Sequence, residues 1–121
     1  MQYILLIYQT ERWADVPVDE KNQIHAACGE WHDELLRSGR SKGAVGLQDK
    51  SSATTIRVSD NRTIISDGPF AETKEVLGGV EIVECRDRDE AVVIARAFPA
   101  LRSGYCTVEI RPGVGNGGCH D

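Results

Sequence analysis

A chain of 121 residues suits one domain, and 40% apolar with 27% charged residues is enough to bury a packed core, which argues against global disorder. A formal net charge of -5 without any basic run argues against nucleic acid as a partner, because phosphates must be neutralised by Lys and Arg. The four cysteines, Cys28, Cys85, Cys106 and Cys119, form no C-x-x-C pair and no zinc spacing, so they are expected as free thiols of a cytoplasmic protein with no bound metal and no cofactor.

"YILLIY" (3–8) opens the chain. It lacks a basic flank and a cleavage site, and it is far too short to cross a bilayer, so it is expected to be a buried strand rather than a signal peptide or a membrane span. Residues 2–8 are predicted as a central strand. A polar loop over 9–16 carries one large aromatic, Trp13. Pro17 stands where a helix begins, with Asp19 and Glu20 at the positive end of its dipole. The helix is expected from Pro17 to Ser38, with Ile24, Cys28, Trp31 and Leu35 as its apolar stripe and Gly39 as its stop. Gly29 inside it suggests a close packing contact.

"GAVGLQ" (43–48) reads as a short strand. "TTIRVS" (54–59) and "RTIIS" (62–66) alternate around a "DN" turn and predict a hairpin. "SDGPFAETKE" (66–75) follows as a rigid corner, then "LGG" (77–79) as a hinge. "VEIVEC" (80–85) is a strand, and Asp87 with Glu90 is a capping box for a second helix. Its stripe is Ala91, Ile94, Ala95 and Phe98, and Pro99 ends it. "YCTVEIR" (105–111) is the last strand. The domain is placed at 1–112, with a glycine-rich flexible tail over 113–121.

Without the hairpin this order is the split β-α-β, a ferredoxin-like α+β plan of the form βαββαβ. Two helices on one face leave the other face of the sheet open and apolar. A homodimer pressed sheet to sheet is the natural way to cover it.

"YILLIY", "GLQ", "ATTIRV", "SDGPFAETKEVLGG" and "VEIRP" together resemble the DGPF branch of the YCII-related proteins, over residues 1 to about 112. The resemblance implies a ferredoxin-like domain that dimerises as an α+β barrel. Some YCII relatives are lyase-type or dehydrochlorinating enzymes acting on hydroxylated ring-derived substrates. There a helix His and an Asp at the end of the first strand are the proposed acid/base pair. The His position falls on Cys28 here, and the Asp position falls near Thr10, beside Gln9 and Glu11. The resemblance also implies a regulatory context, because DGPF members are often encoded beside extracytoplasmic-function sigma factors.

The candidate chemistry lies in two places. His25, Cys28 and His32 share one edge of the first helix, either as an acid/base or metal-binding set or as the polar border of the core. Asp67 either caps its own turn or presents a carboxylate at a pocket mouth. The catalytic set is therefore taken as Asp67, His32 and His25, with Tyr8, Cys28, Pro69 and Phe70 as ligand contacts. Phe70 also reads as an anchor that packs the corner onto the core or across the dimer, and Glu72, Lys74 and Glu75 as solvated loop charges or dimer salt links. The expected function is proton-transfer chemistry on a small organic acid, in a pocket between the first helix and the sheet. The alternative is a non-catalytic module that partners a sigma factor.

Overall fold

In a computed structural model of the chain, which describes residues 1–115, a four-stranded sheet carries two helices on one face. The strands are β1 (Gln2–Gln9), β2 (Ser41–Gly46), β5 (Val76–Glu84) and β6 (Cys106–Pro112). Their order is β2-β5-β1-β6 and every pairing is antiparallel. Helix α1 (Val18–Arg37) joins β1 to β2, and α2 (Arg88–Arg96) with the short α3 (Pro99–Arg102) joins β5 to β6. A separate hairpin, β3 (Thr54–Ser59) and β4 (Arg62–Asp67), is inserted between β2 and β5. This is the expected ferredoxin-like α+β fold with its inserted hairpin. The expected tail beyond residue 115, with Cys119 and His120, lies outside the described residues. Among the described residues no helix is long and apolar enough to cross a membrane.

Strand alternation decides which side chains enter the core. Tyr3 and Leu5 of β1 and Val83 of β5 are buried under the helices, while their neighbours Ile4, Leu6, Val80 and Ile82 turn to the outer face and stay half-buried. One core cluster joins Leu35 of α1 to Ala91, Ile94 and Ala95 of α2 over those inward strand residues. A second joins Val16, Ile24, Phe98, Ala100 and Cys106. Trp31 packs against both, with its ring edge-on to Phe98 at 4.9 Å and its Nε1 donating to the Ile94 carbonyl at 3.1 Å.

Several local expectations are corrected. "LGG" is no hinge: all three residues lie inside β5. The glycines serve close approach instead, since a Cβ on Gly79 would stand 3.1 Å from the Val45 carbonyl oxygen and one on Gly78 would stand 3.1 Å from the Gln9 side chain. Gly29 makes no tight contact, because a Cβ there would meet nothing within 4 Å. Pro17 is the residue before the helix rather than its first member, and β2 starts at Ser41, two residues earlier than the glycine-flanked run suggests. Phe98 and Pro99 begin the extra turn α3, since Pro tolerates a first helical turn. Asp87 does cap α2, accepting from the Glu90 amide at 2.9 Å. Glu90 returns to Arg86 instead of to Asp87, so the reciprocal half of the box is displaced by one residue.

The hairpin turns through Asp60 and Asn61, both at positive φ (53° and 64°), as a two-residue turn of matching twist requires. The corner that follows is held by Gly68 at φ 98°. Its amide donates to the Ala53 carbonyl at 2.7 Å, and its carbonyl accepts from Thr55 Oγ1 at 2.7 Å.

Candidate active site

Between α1 and the inner face of the sheet lies a cleft of about 500 Å³. Trp13, Ile24, Trp31 and Phe98 make apolar walls, and the strand segments 44–47 and 78–81 form one side. Bare backbone at Gly46, Gly78 and Gly79, with Gly29 on the helix, keeps that space open where side chains would fill it. The lining contains no Lys and no Arg.

One charged side chain enters this cleft from the sheet. Glu81 of β5 points inward, between the inward positions of Gly79 and Val83, and is only 2% exposed. A buried carboxylate needs donors, and it has two. Ser41 Oγ donates to Glu81 Oε2 at 2.6 Å, and His32 Nδ1 lies 2.7 Å from Glu81 Oε1. Ser41 is in turn oriented by the Gly43 amide, which donates to its Oγ at 3.3 Å. Gly43 takes φ 141° at the irregularity where β2 shifts register against β5, so the bulge places both the hydroxyl and its donor. A carboxylate only accepts, so, paired with one, His32 donates its Nδ1–H, and Nε2 is the ring nitrogen left free.

The residues singled out in the sequence fall into separate places. His25, Cys28 and His32 all line the cleft. His25 is exposed at its mouth with its ring 5.4 Å from that of Trp13, and His32 is half-buried. Burial pushes the Cys28 thiol above its ordinary value, partly offset by a hydrogen bond from the Ala100 backbone. Burial likewise pushes Cys106, across the cleft lining, up to about 11, with Cys28 adding to the shift. Both are neutral thiols near neutral pH, poor nucleophiles and poor metal ligands. Among the described residues no group of three His, Cys, Asp or Glu is placed to hold a metal ion.

Tyr8, Pro69 and Phe70 line a different cleft, of about 630 Å³, formed with Leu47, Lys50 and Leu77. Tyr8 donates its hydroxyl to Glu109 at 3.2 Å on the outer face of the sheet. Phe70 is 80% exposed, so it does not pack the corner onto the core. Asp67 lines neither cleft: it is exposed at the end of β4, paired across the hairpin with Thr54. Glu72 forms a surface pair with Lys50 at 2.8 Å, and Glu75 accepts from Thr107 at 2.6 Å.

The residues that sequence reasoning missed are Glu81 and Ser41. One signal was present. In "VEIVEC" alternation places Glu81 on the same face as Val83, so the buried face of that strand has to carry a carboxylate.

The YCII-related domain profile matches residues 1–113. An uncharacterised protein of Rhizobium meliloti (strain 1021) is 30% identical over 116 residues, covering 93% of this chain and 91% of that protein. Among solved structures, 5-chloro-2-hydroxyhydroquinone dehydrochlorinase (TftG) from Burkholderia phenoliruptrix AC1100, in complex with 2,5-dihydroxybenzoquinone, superposes with a TM-score of 0.52. It does so at 14% identity over 94% of each chain, a likeness of fold. The profile match spans nearly the whole chain and the relative matches over 93% of it, so the chain belongs to the YCII-related family.

Proposed function

We propose that the cleft between α1 and the sheet binds a small, uncharged, flat organic molecule and moves a proton on it. His32 Nε2 is the acid/base group, Glu81 fixes the tautomer and orientation of the ring, and Ser41 holds Glu81 in place. The observation that carries this reading is the hydrogen-bonded series Ser41–Glu81–His32 at 2.6 and 2.7 Å, set in a cleft with largely apolar walls. A base oriented by a buried carboxylate is the arrangement acid/base catalysis uses, and imidazole is the side chain suited to proton exchange near neutral pH. His25 stands at the entrance, where it meets a ligand's outer edge.

The carboxylate role given to Asp67 on sequence grounds passes in this proposal to Glu81, because Asp67 is exposed on the hairpin and outside the cleft lining. The family's helix histidine position is Cys28 here, and His32 lies one turn further along the same face. The expected organic acid gives way to a neutral ligand for a simple reason. The lining holds no Lys and no Arg, and a buried carboxylate such as Glu81 disfavours an anion beside it. Support for flat ring compounds comes from the similar fold of TftG, which is a dehydrochlorinase seen with 2,5-dihydroxybenzoquinone.

The test is proton exchange. Hydroquinone and its carboxylated counterpart, 2,5-dihydroxybenzoate, are incubated with the protein in D2O, and ring deuteration is followed by NMR. The expected result is accelerated exchange of hydroquinone only, falling by ~100-fold or more in His32→Asn and Glu81→Gln. Equal rates with and without protein, or variants as active as the wild type, refute the assignment.

Homodimerisation through the outer face of the sheet is part of the same proposal. Ile4, Leu6, Val80 and Ile82 form an apolar surface there that no element among the described residues covers. A sigma-factor partner is the second reading, and the exposed hairpin is the surface it would use.

A further inference from the structure

Gln9 ends β1 on the inward side of the sheet. Alternation from Leu5 through Ile7 carries its side chain toward α1, and it lines the cleft beside Trp13. Its backbone is held between Val76 of β5 and Cys106 of β6. Gln9 brings the one side-chain amide to that lining among the described residues. No hydrogen bond within the described residues holds this amide, and it is not among buried groups sealed from the cleft. An amide that can both donate and accept is thus free to meet a ligand.

An irregularity in β5 fixes where the amide lies. Ile7 faces Gly79 and Tyr8 faces Leu77, so Gly78 is an extra residue with no partner on β1. Its carbonyl accepts from the Leu47 amide at 2.8 Å, which ties the bulge to the end of β2. A Cβ built on Gly78 would stand 3.1 Å from Cγ, Cδ and Nε2 of Gln9, so the Gln9 side chain lies across the bare face of the bulge. Glu81, with the His32 ring it holds, follows three residues later on the same strand, ~10 Å away. Gly79 lies between them and Val80 turns to the outer face, so the floor of the cleft over this length is backbone alone. A six-membered ring with oxygens at opposite ends, held by a hydrogen bond of ~2.8 Å at each, spans ~11 Å.

We infer that Gln9 sets the ligand specificity of the cleft. Its amide hydrogen-bonds a second ring oxygen, opposite the one that His32 addresses, so rings oxygenated at both ends are selected over rings with a single oxygen. The amide accepts from a hydroxyl and donates to a ketone, so it holds a quinol and its keto tautomer alike. A ligand without the second oxygen would cover the amide with an apolar group and leave it unpaired, and sites built on a hydrogen bond reject analogues for that reason. Gly78 is the positioning residue, since only a bare bulge lets the amide lie flat on the cleft floor. The inference rests on the cleft being the ligand site with His32 at its working end, and it supplies the ligand's second anchor.

Binding affinity tests it, measured by calorimetric titration under nitrogen with hydroquinone and with 4-methylphenol, which has a similar shape and one oxygen fewer. The wild type is expected to bind hydroquinone ~10-fold or more tightly than 4-methylphenol. Gln9→Leu is expected to bring the two within ~2-fold, through a loss on hydroquinone alone. Gly78→Ala keeps Gln9 but puts a methyl where its amide lies, and is expected to lose the preference too, with circular dichroism showing both variants folded. A wild type without the preference, or a preference that both variants retain, refutes the inference and leaves the proton-transfer reading to its own test. A preference that depends on Gln9, in a protein that exchanges no ring protons in D2O, upholds the inference and refutes the acid/base role of His32. Binding of neither phenol refutes both.

Discussion

Glu81 decides the character of its surroundings. An ionised carboxylate that is 2% exposed is unfavourable by several kcal/mol unless its oxygens are satisfied, and both are, one by Ser41 and one by His32. Ser41 is the more informative of these to remove, because it is not itself part of the cleft lining and reaches His32 only through Glu81. Ser41→Ala should lower stability by about 1–3 kcal/mol, the range for a hydrogen bond to a buried charged group, as read by urea denaturation. It should also slow proton exchange on hydroquinone while leaving ligand affinity little changed, since Glu81 would hold the imidazole less firmly. A Ser41→Ala protein with full stability and full exchange rate would show that His32 needs no oriented partner. The Cys28 and Cys106 thiols play a quieter part here: burial keeps both protonated, so they line the cleft as apolar groups.

Among the elements, the glycines of α1 and β5 behave oppositely, and that difference is testable. Gly29 is interior to α1 and exposed to the cleft, with nothing within 4 Å of a Cβ built there. Gly29→Ala should therefore stabilise the protein by about 0.5–1 kcal/mol through helix propensity, while its methyl narrows the cleft and weakens ligand binding. Gly79 sits in the middle of the sheet, where a Cβ would press on the Val45 carbonyl at 3.1 Å. Gly79→Ala should destabilise by about 1–3 kcal/mol, because the β2–β5 spacing must give. Thermal denaturation with a thermal-shift ligand titration separates the two outcomes. Much of this level could be read in the sequence. The α1 stripe of Ile24, Cys28, Trp31 and Leu35 faces the core as its 3.6 period predicts, and the hairpin turns at the residues its Asp-Asn pair marks. What misled was glycine, since "LGG" reads as a hinge in one dimension. The close approach of β2 and β1, which gives those glycines their purpose, is a contact between segments dozens of residues apart.

For the whole molecule, the raised thiol and phenol groups predict a loss of stability in alkali. Burial raises Cys106 to about 11, and it raises Cys28 and Cys85 as well. Tyr105 is raised by its hydrogen bond to Glu20. A group raised on folding binds protons in the native state that the unfolded chain has already lost, so stability falls as pH rises. For Cys106 the fall begins near pH 9 and is complete above about 11. Chemical denaturation across this window should show a decreasing unfolding free energy, with a shallower slope in Cys106→Ala. A flat profile in the wild type would mean that these thiols are less enclosed than the packing implies.

The sequence by itself determined the elements and their order. It also determined the helix edge that bears His25, Cys28 and His32, and the open apolar face of the sheet. Each of these follows from local periodicity, turn chemistry and the rule that a strand alternates. Tertiary structure alone decided which carboxylate meets which histidine. Asp67 belongs to the most distinctive stretch of the chain, yet it ends up exposed at the end of the hairpin, outside the cleft lining. Glu81 reaches His32 from 49 residues away because β5 lies between β2 and β1, facing α1. That encounter depends on strand order and on the bulge at Ser41–Gly43, and no local pattern encodes either one.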